Sequence, residues 1–172
     1  MEGIETVAQL MCISAVTAPK SKGENFVKTL VIRGPVIKEL AEFMIRFGRE
    51  KKKKDFDRDA KNVAASNAVV LIGIQDAKPL GLNCGACGFP DCQTLLNQPR
   101  ATVEFTGPVC AFRLLDLGIA LGSAVKTAAM LNVDNRIMYR VGAAAVGMKL
   151  VDWDYGMGIP LSVTGKSIFF DR

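Results

Sequence analysis

The chain has 172 residues, of which 49% are hydrophobic and 23% charged, so it can bury a single core, and neither disorder nor a disulfide-dense mini-protein is indicated. It contains no histidine, which removes His-ligated metals, Ser-His and Cys-His nucleophile pairs and the usual neutral-pH proton shuttle. The net charge of +5 is modest and gathers in the run Arg49, Lys51, Lys52, Lys53 and Lys54, a solvated turn or a surface for an acidic redox protein; no interleaved aromatic residues suit it to nucleic acid.

From Ile4 the apolar positions Ile4, Val7, Ala8, Met11 and Ala15 follow helical spacing, ending before Pro19. The opening MEGIETVAQLMCISAV is acidic before its apolar stretch and does not read as a secretory signal, so a cytoplasmic protein is expected. FVKTLVIR (26–33) predicts a strand, and Pro35 opens a helix carrying Val36, Ile37, Leu40, Met44 and Phe47 on one face. A short helix follows near 55–62, and AVVLIGI (68–74) predicts a buried central strand. The segment 81–108 is too rich in glycine and proline for regular structure.

A long helix is expected over 109–131, with Gly118, Gly122 and Ala124 allowing close approach of another helix. It is interrupted by Arg113, Asp116 and Lys126, and its longest charge-free run, Leu117 to Val125, is too short to span a bilayer. Asp134 is the expected N-cap of a further helix through Met148, with Ile137, Val141, Ala144 and Ala145 on one face, or Arg136 beside it contacts an anionic ligand. Two short strands, 156–163 and 167–170, close the chain around a turn at Thr164-Gly165-Lys166.

Five cysteines in a chain kept from oxidising compartments read as metal ligands or free thiols. Cys84, Cys87, Cys92 and Cys110 have the spacing C-x2-C-x4-C-x17-C, three from one tight loop and the fourth from a distant segment, as a cubane cluster requires. Gly85 and Gly88 permit the sharp turns that point backbone N–H groups at cluster sulfurs, and Leu82, Phe89, Leu95 and Val109 are placed to shield them. A [4Fe-4S] cluster is the favoured occupant; a four-cysteine zinc site or a [2Fe-2S] cluster are the alternatives. Cys12 has no cysteine nearby and reads as a buried hydrophobic thiol.

NCGACGFPDC (83–92), GPVC (107–110), DLGIALGSAVKTAAMLNVDNRIMYRVG (116–142) and GIPLSVTGKSIFFDR (158–172) resemble the uncharacterised ferredoxin-domain proteins of anaerobic bacteria and archaea. That resemblance implies an iron–sulfur centre on the same four cysteines. The cysteine loop is also similar to the four-cysteine cluster domains of corrinoid iron–sulfur proteins and of membrane-associated electron-transfer subunits. TAPKSKGENFVKTLVIRG (17–34) is similar to a stretch of the flavin nitroreductases, with Ala18, Pro19 and Asn25 matching in kind and Lys20 replacing a serine; the N-terminal arginine motif of those proteins is missing.

The expectation is one domain, residues 1–172, with the cluster region at 82–110. Its fold is α+β, a central mainly antiparallel sheet flanked by helices, nitroreductase-like, with a Cys-rich iron–sulfur loop. The expected function is intracellular electron transfer through one [4Fe-4S] cluster. A flavin-dependent oxidoreductase fed by the cluster, with Lys20, Ser21, Lys22 and Asn25 on FMN, and a structural zinc or assembly protein are the alternatives. A homodimer is expected by analogy with nitroreductase-like domains, and neither nucleic acid nor membrane is an expected partner.

Overall fold

The structure, a computed structural model, describes residues 2–170, so the last two positions of the 158–172 stretch lie outside it. The apolar spacing at the start forms α1 (Glu2–Thr17), which ends before a proline that cannot continue a helix. One 3-10 turn, Ser21–Gly23, leads into β1 (Val27–Ile32). Pro35, with φ already fixed near its helical value, opens α2 (Pro35–Glu50). Beyond the basic turn come α3 (Phe56–Ala64) and β2 (Ala68–Ile74). The breaker-rich segment conceals a short helix, α4 (Cys92–Leu96), and a hairpin of β3 (Ala101–Thr102) with β4 (Thr106–Gly107). The chain continues through α5 (Ala111–Met130), β5 (Asp134–Asn135), α6 (Tyr139–Gly147) and β6 (Tyr155–Ser162).

Four strands make one antiparallel sheet in the order β1-β2-β6-β5. Every residue of β2 is buried because helices cover both of its faces. Ala68, Val70, Ile72 and Ile74 pack with α1 and α5, whereas Val69 and Leu71 pack with α2, α3 and α6. A strand covered on both sides has no reason to alternate apolar with polar residues, so AVVLIGI is continuous. Burial is worth about 1.5–3 kcal/mol for each large apolar side chain, which anchors the register Val31↔Val70↔Ile159. Two close approaches finish the second layer. A Cβ on Gly73 would lie 2.4 Å from the Trp153 ring, and one on Gly142 would lie 1.9 Å from the Gly156 carbonyl oxygen, so α6 rests directly on β6.

Two expectations are corrected. Asp134 is not a helix N-cap: Asp134 and Asn135 pair with Ser162 and Leu161 as β5, and α6 begins only at Tyr139. The gain from closing the sheet edge overrides the local capping signal, and Ile137 is left exposed instead of facing the core. The segment 167–170 is not a strand. It turns back, with the Ile168 N–H donated to the Asp134 carboxylate at 3.2 Å and the Phe169 carbonyl accepting from Arg136 at 3.0 Å, which buries Phe169. Arg136 also stacks over the Phe170 ring at 5.3 Å and so helps hold this tether. On α5, Ala124 packs with α1 as expected, with Ala120 and Ala128 on the same face, while Gly118 and Gly122 meet nothing within 4 Å.

Candidate metal centre

The loop that leaves the end of β2 carries three cysteines, and its path requires backbone conformations that favour glycine or asparagine. Gly81, Asn83, Gly85 and Gly88 all have positive φ, between 50° and 86°. Gly88 donates its N–H to the Gly85 carbonyl at 2.9 Å, closing a turn between Cys84 and Cys87. The Asn83 side chain accepts the Cys92 N–H at 2.9 Å, tying the residue before the first cysteine to the third.

Asp91 caps α4, accepting the Thr94 N–H at 2.7 Å and the Thr94 hydroxyl at 3.0 Å, and so fixes Cys92 at the first helical position. These hydrogen bonds, the backbone one foremost, hold the Asp91 carboxyl below the ordinary carboxylate range. A depressed native value means the capping contribution is complete above the unfolded value, about pH 4, and is lost as pH falls through the lower native one. Asp91→Asn, which keeps the cap without the charge, is expected to lessen the loss of stability on acidification below about pH 4. Thermal melts of both proteins across that range check this, and parallel curves would contradict it.

Cys110 is the N-cap residue of the 20-residue helix α5, its carbonyl accepting the Arg113 N–H at 3.0 Å. It is buried, Cys84 is exposed, and Cys87 and Cys92 lie between. All four cysteines line one small pocket. The apolar walls are Leu80, Leu82, Phe89 and Phe112, while Leu95 packs in the small cluster of Leu80 and Cys110 beneath. Val109, expected as a shield, packs instead against the main core. Leu80 and Phe112 could be found only by folding, because their approach depends on the loop's return to α5.

The donor set fits a polynuclear iron–sulfur group. Four thiols surround one apolar-walled space at the positive end of a long helix, which favours an anionic occupant.

Beneath Cys110, Arg113 is 1% exposed. Its guanidinium donates to the Lys78 carbonyl at 2.8 Å, the Ser21 carbonyl at 3.1 Å, the Asp116 carboxylate at 3.2 Å and Glu24, and stacks over Phe26 at 4.7 Å. One buried cation thus joins α5, the loop entering the cysteines and the 21–26 segment. The sequence signal was an arginine in an otherwise apolar helix start with Asp116 three residues on.

Of the four residues that the flavin alternative would use, three are engaged within the chain. Lys20 donates to the carbonyls of Ala15, Val16 and Ala18, closing the end of α1. The Ser21 N–H and hydroxyl both donate to Asp116 at 2.8 Å, and the Asn25 side chain accepts the Val27 N–H at 3.0 Å. Lys22 has positive φ in the 3-10 turn and approaches Gly81. Three of these four side chains are thus already used inside the chain. Cys12 sits half-buried against the main core, its thiol pushed up by burial.

A family model described as an uncharacterized protein containing a ferredoxin domain matches residues 106–172, a stretch that includes Cys110. A protein of Archaeoglobus fulgidus, itself described as uncharacterized, is 48% identical over 171 residues, 99% of this chain and 92% of that one. Among solved structures, a nitroreductase with bound FMN from Desulfitobacterium hafniense aligns with a TM-score of 0.60 at 11% identity, covering 94% of this chain and 79% of that one. A BluB-like flavoprotein from Clostridium difficile aligns at 0.55 and 15%, covering 94% and 84%. The FMN-dependent nitroreductase NfnB from Mycobacterium smegmatis, in complex with NADPH, aligns at 0.58 and 11%, covering 94% and 78%. At such identities these likenesses establish the α+β nitroreductase-like fold.

Proposed function

The chain belongs to the family described as uncharacterized proteins containing a ferredoxin domain, and from that premise we propose that it binds one [4Fe-4S] cluster and transfers electrons in the cytoplasm. The observation that carries this reading is the gathering of Cys84, Cys87, Cys92 and Cys110 around one apolar-walled pocket at the start of α5. Such a cluster supplies one electron at a time. The chain's residues do the rest: Leu80, Phe89 and Phe112 limit water, the turns at Gly85 and Gly88 orient the loop, and exposed Cys84 leaves a short path to a partner at the surface. No helix among the described residues is long and apolar enough to cross a membrane.

Anaerobic purification followed by iron, sulfide, zinc and flavin assays tests the proposal. About four iron and four sulfide per chain, with a paramagnetic signal on reduction, are expected. One zinc per chain without iron would overturn it in favour of a structural metal. A second reading, an oxidoreductase in which the cluster feeds FMN, is supported by the flavin named in the structural neighbours. Flavin absorbance in the purified protein is its test, and any such site must use residues other than the engaged Lys20, Ser21 and Asn25.

A further inference from the structure

Helices α1 and α5 lie side by side and antiparallel over one face of the sheet, with Ser14 and Thr127 sharing a hydrogen bond at 2.6 Å and Ser21 reaching Asp116 at 2.8 Å. Their outer side is unlike that of α2, whose exposed positions beyond Pro35 are all charged: Lys38, Glu39, Glu42, Arg46, Arg49 and Glu50. Opposite Ala120, Ala124 and Ala128, α5 presents Leu115, Gly118, Ile119, Gly122, Lys126 and Ala129 to solvent, and Leu10, Ile13 and Val16 are exposed on α1. Leu115 is 59% exposed, Ile119 47% and Ile13 58%. A helix apolar on every side belongs in an interior, and neighbouring exposed apolar side chains mark a contact surface.

Charge, area and the two mid-helix glycines suit this face to a second copy of the same chain. An isologous contact sets a patch against itself, so each charge on it faces its own like. Lys126 is the one charged residue among the exposed positions of α5. The midpoint of α5 falls between Gly118 and Gly122. A two-fold axis set across the helix there keeps the two Lys126 residues about 16 Å apart along the helices, beyond the roughly 8 Å screening length. A charged partner has little to recognise on such a face, whereas the face is complementary to itself. Helices of 20 and 16 residues, about 30 and 24 Å long and about 10 Å apart, present about 500–600 Å² on each copy, which clears the roughly 1,000 Å² total of a specific interface. Neither Gly118 nor Gly122 has positive φ, and nothing lies within 4 Å of where a Cβ would stand. Each weakens the helix relative to alanine and no contact within the chain requires it, but a second backbone crossing there does.

We propose that two copies of this chain pair through the outer face of α1 and α5, with α5 crossing its own copy at Gly118 and Gly122. The pairing does not rest on the cluster reading. Sedimentation equilibrium of the anaerobically purified full chain over a wide concentration range tests it. A mass of twice the 18.5 kDa of one chain is expected. It is expected to persist from about 0.1 to 1 M sodium chloride, because almost no charge is involved. Ile119→Glu sets a carboxylate against its symmetry mate and is expected to weaken pairing about a hundredfold or more, whereas Glu39→Gln on α2 leaves it unchanged. Both positions are exposed, so the far-UV circular dichroism of these variants is expected to match that of the parent. Ile13→Glu, on α1, tests the same face separately and is expected to weaken pairing as well. A monomer at all concentrations, a dimer dispersed by salt, or a dimer that survives both Ile119→Glu and Ile13→Glu would each overturn the proposal. So would a monomer that co-sediments with phosphatidylcholine vesicles and loses that binding through Ile119→Glu, since a lipid surface would then be the occupant.

Discussion

Cys110→Ser is expected to lose most of its bound iron, and Cys12→Ser to keep it. Cys12 lies within α1 and Cys110 is the N-cap of α5, and both are at least partly buried, so burial does not separate them. Position does. Cys110 starts α5 and lines the pocket shared with Cys84, Cys87 and Cys92, and it supplies the only thiol there from outside the loop. Cys12 packs against the main core beside the sheet and lies outside that pocket. Replacing a buried thiolate ligand with a serine hydroxyl substitutes a harder, far less acidic donor, and a cluster held by three thiolates is open to loss. Iron and sulfide content of variants purified side by side without oxygen checks this. Equal retention in both would contradict the assignment of Cys110.

The parts of the fold that were legible are those where local and global preferences agree. AVVLIGI reads as a central strand because both faces of β2 are covered, and Pro35 marks a helix start because its missing N–H costs nothing there. Asp134 shows where such reading stops. Its side chain suits an N-cap, but pairing with Ser162 and accepting the Ile168 N–H stabilise an extended backbone, and neither partner is near in sequence. The spacing C-x2-C-x4-C-x17-C singles out the four cysteines that line one pocket. Their surroundings were not legible: Leu80 and Phe112 meet only because the loop after β2 returns to the start of α5.

Arg113→Met is expected to lower the melting temperature of the iron-loaded protein by about 6–20 °C, the equivalent of about 3–5 kcal/mol for breaking a buried ion pair in a chain of this size. Methionine fills much of the same space, so a cavity is not the main cause. The cause is electrostatic. Without the guanidinium, Asp116 at 4% exposure keeps the two Ser21 donors but loses its cation, and the carbonyls of Lys78 and Ser21 lose their donors. Glu24 contributes little to this because it is half exposed and water can replace its partner. Adding Asp116→Asn to Arg113→Met removes the uncompensated charge and is therefore expected to recover part of the loss. A drop of less than about 2 °C without recovery is what an exposed pair would give, and it would show that the network does not bind the cysteine loop to α5.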